Sequence, residues 1–345
     1  MRHILRIAAF AIAGTASAAG AQSHQVGLAD LEIEDSGGQR HLDGFVWYPT
    51  EETAGASEHL GNAVWRGVDA IEDAVPVARS SPLVVLSHGM YGNAMNQAWL
   101  ASELAKRGYV VAAVSHPGTS TWKRDPDDAR QMWERPKDMS RVIDHVLATP
   151  ELSALVDPAR IFMAGHSLGG FTAVALAGGR YDAERFDGMC GRSPDELVCG
   201  IFSDWQVARS PDDRARMEAD LSDPRIRGFA VFDLGGTQTF SDVSLGQIDR
   251  PMLVFGAPRN IEGTGLDLDL ESRALVAALS EDTVTYQEPV TLAHFDFLGE
   301  CRDGAVEILK VEDPDDVFVC IEGGAERREE HRAIVDDIAE FFEGL

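Results

Sequence analysis

Short apolar runs alternate along this chain with longer stripes at helical spacing, and that alternation restricts the folds open to it more than any other feature. Leu83-Val84-Val85-Leu86 is continuous and ends at Ser87-His88-Gly89, the pattern of a strand buried on both faces of a parallel sheet. Ala98, Leu100, Ala101, Leu104 and Ala105 then recur at near-helical spacing until Gly108 stops the element, and a second apolar run fills 109–114. Met139, Val142, Ile143, Val146 and Leu147 form the next helical stripe, followed by a strand at 160–164. Later strands are expected at 228–233, 251–255 and 283–288. A helix is expected near 270–279 and a last one over about 329–342, with Ile334, Ile338 and Phe341 facing the sheet. Strands alternating with helices imply an α/β architecture, a mostly parallel sheet covered on both faces and joined by right-handed crossovers.

Four segments stand outside this alternation. Residues 26–33 and 41–48 read as two opening strands, a hairpin at a sheet edge with its turn at Gly37-Gly38, and 51–80 reads as a loop with at most one short helical piece. Residues 180–225 are polar, contain cysteines and read as a small cap inserted over the site; a surface excursion clear of the site is the alternative. At the start, Arg2 and Arg6 precede an apolar stretch over 7–13, and small residues lead to Ala19-Gly20-Ala21 before Gln22. This is the pattern of a cleavable secretory signal over 1–21, leaving one domain over 22–345 and predicting a periplasmic or secreted protein. Its apolar run is far short of the roughly 20 residues that span a bilayer, so no stable membrane insertion is expected.

Export permits disulfides, and the four cysteines, Cys190, Cys199, Cys301 and Cys320, all follow the leader. Pairing Cys190 with Cys199 and Cys301 with Cys320 closes two short loops. A zinc site is the rival reading, and no Cys-x-x-Cys supports it. The formal charge of −27 repels phosphate backbones and anionic membrane surfaces, which excludes nucleic acid as an expected partner. No cofactor or metal is expected.

The chemistry is read from Gly165-His166-Ser167-Leu168-Gly169, which follows the apolar strand and precedes a helix-compatible run at 171–177. Strand, sharp turn and helix are the context that a nucleophile elbow requires, and Ser167 there sits at a helix N-terminus that favours developing negative charge. A hydroxyl needs a base. Of ten histidines, His294 alone follows the last expected strand by a short loop, in the chain order nucleophile, acid, base. His88, His116 and His166 lie at strand ends, where loop packing is their expected role. The backbone N–H groups of Leu168 and Met90 are the expected oxyanion hole, Met90 from the loop after Leu86. The acid is left open. No carboxylate occurs in Gly256-Ala257-Pro258-Arg259-Asn260, where one is looked for first. Asp233, ending the strand Val231-Phe232, is the first choice, with Asp267 and Glu262 as alternatives and Asp269 read as a helix N-cap.

Val46-Trp47-Tyr48-Pro49, Leu86-Ser87-His88-Gly89, Val114-Ser115-His116-Pro117-Gly118, Gly165-His166-Ser167-Leu168-Gly169-Gly170 and His294-Phe295-Asp296-Phe297-Leu298 together resemble the predicted dienelactone hydrolase group related to platelet-activating-factor acetylhydrolase. The resemblance spans most of residues 40–345. It implies the α/β-hydrolase fold and a metal-independent serine hydrolase of esterase or lipase type, acting on a small-molecule ester through an acyl-enzyme. True dienelactone hydrolases carry a cysteine nucleophile, so their substrate does not transfer to Ser167, and the Gly-x-x-Asp expected after residue 256 is missing. A binding protein that kept the fold and lost turnover is the rival from another functional class.

Overall fold

In the computed structural model, residues 23–35, 37, 40–261, 263–321 and 325–345 are described. The expected secretory signal, the turn residue Gly38 and the candidate acid Glu262 lie outside them.

Among the described residues ten strands form one sheet: β1 (Gln25–Ile33), β2 (Leu42–Thr50), β3 (Ser57–His59), β4 (Val68–Glu72), β5 (Ser81–Ser87), β6 (Val110–Val114), β7 (Val156–His166), β8 (Ile226–Phe232), β9 (Met252–Phe255) and β10 (Val284–Gln287). Their spatial order is β10-β9-β8-β7-β5-β6-β2-β1-β4-β3. From β10 to β6 the neighbours run parallel, and β2 joins β6 antiparallel. The continuous apolar run of β5 has a direct physical reason. Leu83 and Val85 enter the core on one face of the sheet while Val84 and Leu86 enter the core on the other, so period-two alternation leaves no residue for water. The helices Glu134–Ala148 and Leu168–Ala177 pack on the first face. Ala98–Lys106 and Ala325–Glu343 pack on the second.

Several expectations need correction. β1 and β2 do pair as an antiparallel hairpin, but not at the edge, because β4 adds in parallel beside β1 and β3 beyond it. The segment 51–80 therefore contributes two strands and no helical piece; β3 and β4 have only 3 and 5 residues, too short for periodicity to register. In the last helix Ile334, Val335, Ile338 and Phe342 are buried, whereas Phe341 is half-exposed. Glu271 rather than Asp269 stands at the N-cap position of the helix starting at Ser272, with no side-chain cap bond; Asp269 instead pairs with Arg273 one turn on, at 2.9 Å. The cysteines, by contrast, pair as expected: Cys190 is bonded to Cys199 and Cys301 to Cys320, which removes the thiolates that a zinc site would need.

One consequence of the topology matters for chemistry. β5 lies between β6 and β7, so successive connections leave it toward opposite sides of the sheet, and a crevice opens at the carboxyl ends of these strands. Because β5 and β7–β10 are parallel, the residues that follow each of them come out on that same edge.

Candidate active site

Only Ser167 separates the end of β7 at His166 from the helix beginning at Leu168. The chain must reverse within one residue, and Ser167 takes φ 53° and ψ −115°. Such a conformation costs roughly 1–3 kcal/mol in a non-glycine residue and persists only where the surroundings over-determine it. Here they do. Ser167 N donates to the Phe232 carbonyl at 2.9 Å, and its own carbonyl accepts from Gly170 N at 2.8 Å. The backbone fits only because its neighbours lack side chains: a Cβ on Gly169 would lie 1.9 Å from the Ser87 carbonyl oxygen, and one on Gly165 would lie 2.1 Å from that of Gly169. The Ser167 side chain is half-buried, lines the main cavity and makes no hydrogen bond among the described residues.

His294 lines the same cavity, of about 1460 Å³. It opens a short 3-10 turn, His294–Phe297, and its Nδ1 lies 2.7 Å from Asp233 Oδ2, with both side chains buried. Asp233 itself is wholly enclosed. It follows β8 at φ 40°, held by its N–H donating to the Phe255 carbonyl at 2.8 Å, and its Oδ1 accepts from Ala257 N at 3.0 Å. The loop after β9, where an acid is looked for first, thus supplies a backbone donor to the acid of the neighbouring strand. Asp267 has another occupation: it is exposed, and its Oδ1 caps the amides of Asp269 and Leu270 at 2.9 and 3.3 Å. Of the candidate acids among the described residues, Asp233 is the one bonded to His294, while Asp267 borders the same cavity with its carboxylate turned to the local amides.

Met90 and Leu168 both border the cavity beside Ser167. Among the described residues neither amide donates to another group. The Met90 loop passes close over the turn, since a Cβ on Gly89 would come within 3.3 Å of the Ser167 Cβ. Within the insertion, the helix Leu197–Asp204 supplies Val198, Ile201 and Phe202 to the cavity wall. The Cys190–Cys199 bond ties that helix to Ala183–Arg192. No cluster of three His, Cys, Asp or Glu side chains disposed to hold a metal occurs among the described residues.

Sequence reasoning misses Glu271 and does not say which loop His166 packs. Glu271 lines the cavity yet is buried, and its Oε2 accepts from the amides of Gly236 and Thr237 at 2.9 and 2.6 Å. Burial pushes its carboxyl up to about 7, against the pull of those two amides. No periodicity marks it. His166, assigned to loop packing from its place at a strand end, donates from Nε2 to the His294 carbonyl at 2.8 Å and so anchors the segment that carries His294. Burial, then the neighbouring His294, holds His166 neutral, well below the ordinary histidine range. Asp296 anchors the same segment from the other side, its Oδ2 accepting from Ala293 N at 2.8 Å.

Residues 78–195 match a family described as serine aminopeptidase, S33. Cutinases est1 and est2 of Thermobifida alba are each 30% identical to this chain over 101 residues, which is 29% of this chain and 31% of theirs. Cutinase 2 of Thermobifida cellulosilytica is 29% identical over 101 residues, 35% of its length. The chain thus spans about a third of the length of these curated relatives. A solved structure of a ferulic acid esterase from Streptomyces cinnamoneus superimposes over 94% of this chain and 91% of its own, with a TM-score of 0.61 and 22% sequence identity. The chain has the α/β-hydrolase fold.

Proposed function

We propose that this protein is a serine hydrolase that cleaves carboxylic ester bonds of small molecules through an acyl-enzyme on Ser167. The observation that carries the reading is the buried 2.7 Å contact of His294 Nδ1 with Asp233 on the cavity that Ser167 also lines. Asp233 holds the imidazole with Nδ1 protonated, which leaves the Nε2 lone pair for a proton. The uncommitted Ser167 hydroxyl turns to donate to Nε2, and its oxygen attacks the ester carbonyl. The oxyanion is met by the amides of Met90 and Leu168, and His294 returns the proton to the departing alcohol. Water repeats the sequence on the acyl-enzyme. Asp233 stabilises the imidazolium without taking the proton itself.

An ester rather than a peptide substrate is favoured by the cutinase relatives, although the matching family is named for an aminopeptidase. Ser167 at the elbow argues against dehalogenase or epoxide hydrolase chemistry, which uses Asp there. The motifs from Val46-Trp47-Tyr48-Pro49 to His294-Phe295-Asp296 support the finer placement beside the predicted dienelactone hydrolases. The helices over 183–217 act as a cap, a role supported by the apolar wall that Val198, Ile201 and Phe202 give the cavity. Two disulfides support an exported protein. No helix among the described residues is long and apolar enough to cross a membrane.

A fluorophosphonate probe tests the reading directly. The protein is expected to label rapidly and to lose labelling in Ser167→Ala while staying folded. A folded wild type that neither labels nor turns over short-chain nitrophenyl esters would instead support the binding protein.

A further inference from the structure

Outside the cavity, a buried polar assembly centres on Arg135, which is about 1% exposed. Burying a guanidinium is costly unless its donors are matched. Four bonds match them: Nε donates to Thr172 Oγ1 at 3.1 Å, Nη1 to Thr119 Oγ1 at 2.6 Å, and Nη2 to Ser87 Oγ at 3.2 Å and to the His88 carbonyl. The two ends of this fork reach different elements. His88 begins the loop that carries Met90. Thr172 lies on the helix that starts at Leu168, and its hydroxyl donates to the Leu168 carbonyl at 3.0 Å.

The hydrogen-bond directions are determined throughout the assembly. Arg40 grips both oxygens of Asp138 at 2.8 and 2.7 Å. Burial, with Arg135 next, holds His116 and His88 neutral. His116 Nδ1 therefore donates to Asp138 Oδ2 at 2.9 Å, and its Nε2 accepts from the Ser87 hydroxyl at 2.9 Å. Ser87 in turn accepts from Arg135. His88 Nδ1 donates to the Gly89 carbonyl at 2.7 Å, and Nε2 accepts from His116 N at 3.0 Å. Ser87, His116 and Asp138 repeat the contact order of a catalytic triad, but all three are enclosed and none borders the cavity. With no access for a substrate, the group is a strut.

We infer that Arg135 is a positioning residue for the oxyanion hole: it clamps the Met90 loop to the helix of Leu168 and so fixes the spacing of the two amides. The inference rests on the hydrolase reading above. It follows from what the fork joins. Each amide belongs to a different element, and no backbone hydrogen bond links residues 88–90 to 168–170, so the guanidinium supplies the polar connection across the gap.

The test compares Arg135→Met, Arg135→Lys and Thr172→Val with wild type in steady-state hydrolysis of a short-chain nitrophenyl ester. Affinity for a trifluoromethyl ketone, which binds as a tetrahedral oxyanion adduct, is measured beside it. Arg135→Met is expected to lower kcat on the order of a hundredfold with KM within about twofold, and to weaken the ketone in parallel. Lysine, a point charge without the fork, should restore only part of the loss. Thr172→Val nearly conserves volume and cuts only the helix end of the clamp, so it reports even if Arg135→Met does not fold; a several-fold loss confined to kcat is expected. Folded variants with wild-type kcat and ketone affinity would overturn the inference, as would losses confined to KM. An inactive, unlabelled wild type would overturn the hydrolase reading as well, which separates the two failures.

Discussion

At the scale of single residues, the proposed acid, Asp233, shows how a side chain is committed by what surrounds it. Asp233 has the His294 imidazole on one oxygen and the Ala257 amide on the other, whereas Asp267 commits its carboxylate to the local turn. Asp233→Asn is expected to lower ester turnover by about a thousandfold to ten-thousandfold, because an amide can present the wrong hydrogen-bonding group to Nδ1. Asparagine tolerates the left-handed backbone at this position, so the loss should come without unfolding. Asp267→Asn and Glu262→Gln should stay near wild type in the same assay; near-normal activity in Asp233→Asn would reject the assignment. Asp233 stood first among three candidates in the sequence because a carboxylate ending an apolar strand is costly unless paired, and only the fold joined it to His294. Its partner was legible from chain order. Glu271 and Arg135 were not, since nothing local distinguishes a buried, matched charge from a solvated one.

At the scale of elements, the strained turn at Ser167 is held by close backbone packing, which makes glycine positions unequal. Gly169→Ala would drive a methyl to 1.9 Å from the Ser87 carbonyl oxygen, backbone that cannot step aside. A stability loss of at least about 3 kcal/mol in denaturant titration is expected, the upper range for overpacking. Gly200, inside the helix Leu197–Asp204, would have nothing within 4 Å of an added methyl. Gly200→Ala should therefore stabilise, by up to about 1 kcal/mol, through helix propensity and lost unfolded-state entropy. Equal effects at the two sites would contradict the packing described. Helix and strand identities in the parallel core were legible because buried elements carry strong periodicity. β3 and β4 were not, because their pairing comes from neighbours rather than from any pattern of their own.

At the scale of the whole molecule, the buried ionisable groups set the response to pH. His88, His116 and His166 are held well below their ordinary value of 6.5, and His331 is lowered to about 3, burial being the first cause in each case. Below pH 6.5 the unfolded chain takes up protons that the folded state refuses, so their stabilisation is complete above 6.5 and is lost as pH falls. Glu271 acts in the opposite sense. Its folded value, about 7, lies above the ordinary 4.5, so the folded state holds a proton that the unfolded chain has released, and stability is lost as pH rises from 4.5 to 7. Asp138, raised above its ordinary 3.8 by burial, acts in the same sense as Glu271; four histidines oppose these two carboxyls, and the denaturant midpoint is expected to drop between pH 6.5 and 5.5. Glu271→Gln should gain on wild type by on the order of 3 kcal/mol as pH rises through that carboxyl's window. A midpoint that does not drop between pH 6.5 and 5.5, or a variant running parallel to wild type, would sink the account.

The chain's own periodicity determined which segments are strands and helices in the parallel core. The motif at Ser167 and the order of elements determined where the candidate nucleophile and the candidate base stand, because both follow from local spacing and from the rule that parallel strands end on one edge. Which carboxylate meets His294, which histidine anchors its loop and which arginine joins His88 to Thr172 were decided only in three dimensions. Those roles depend on distances between residues far apart in the chain, such as Asp233 and His294 or Arg135 and His88, and no short-range pattern records them.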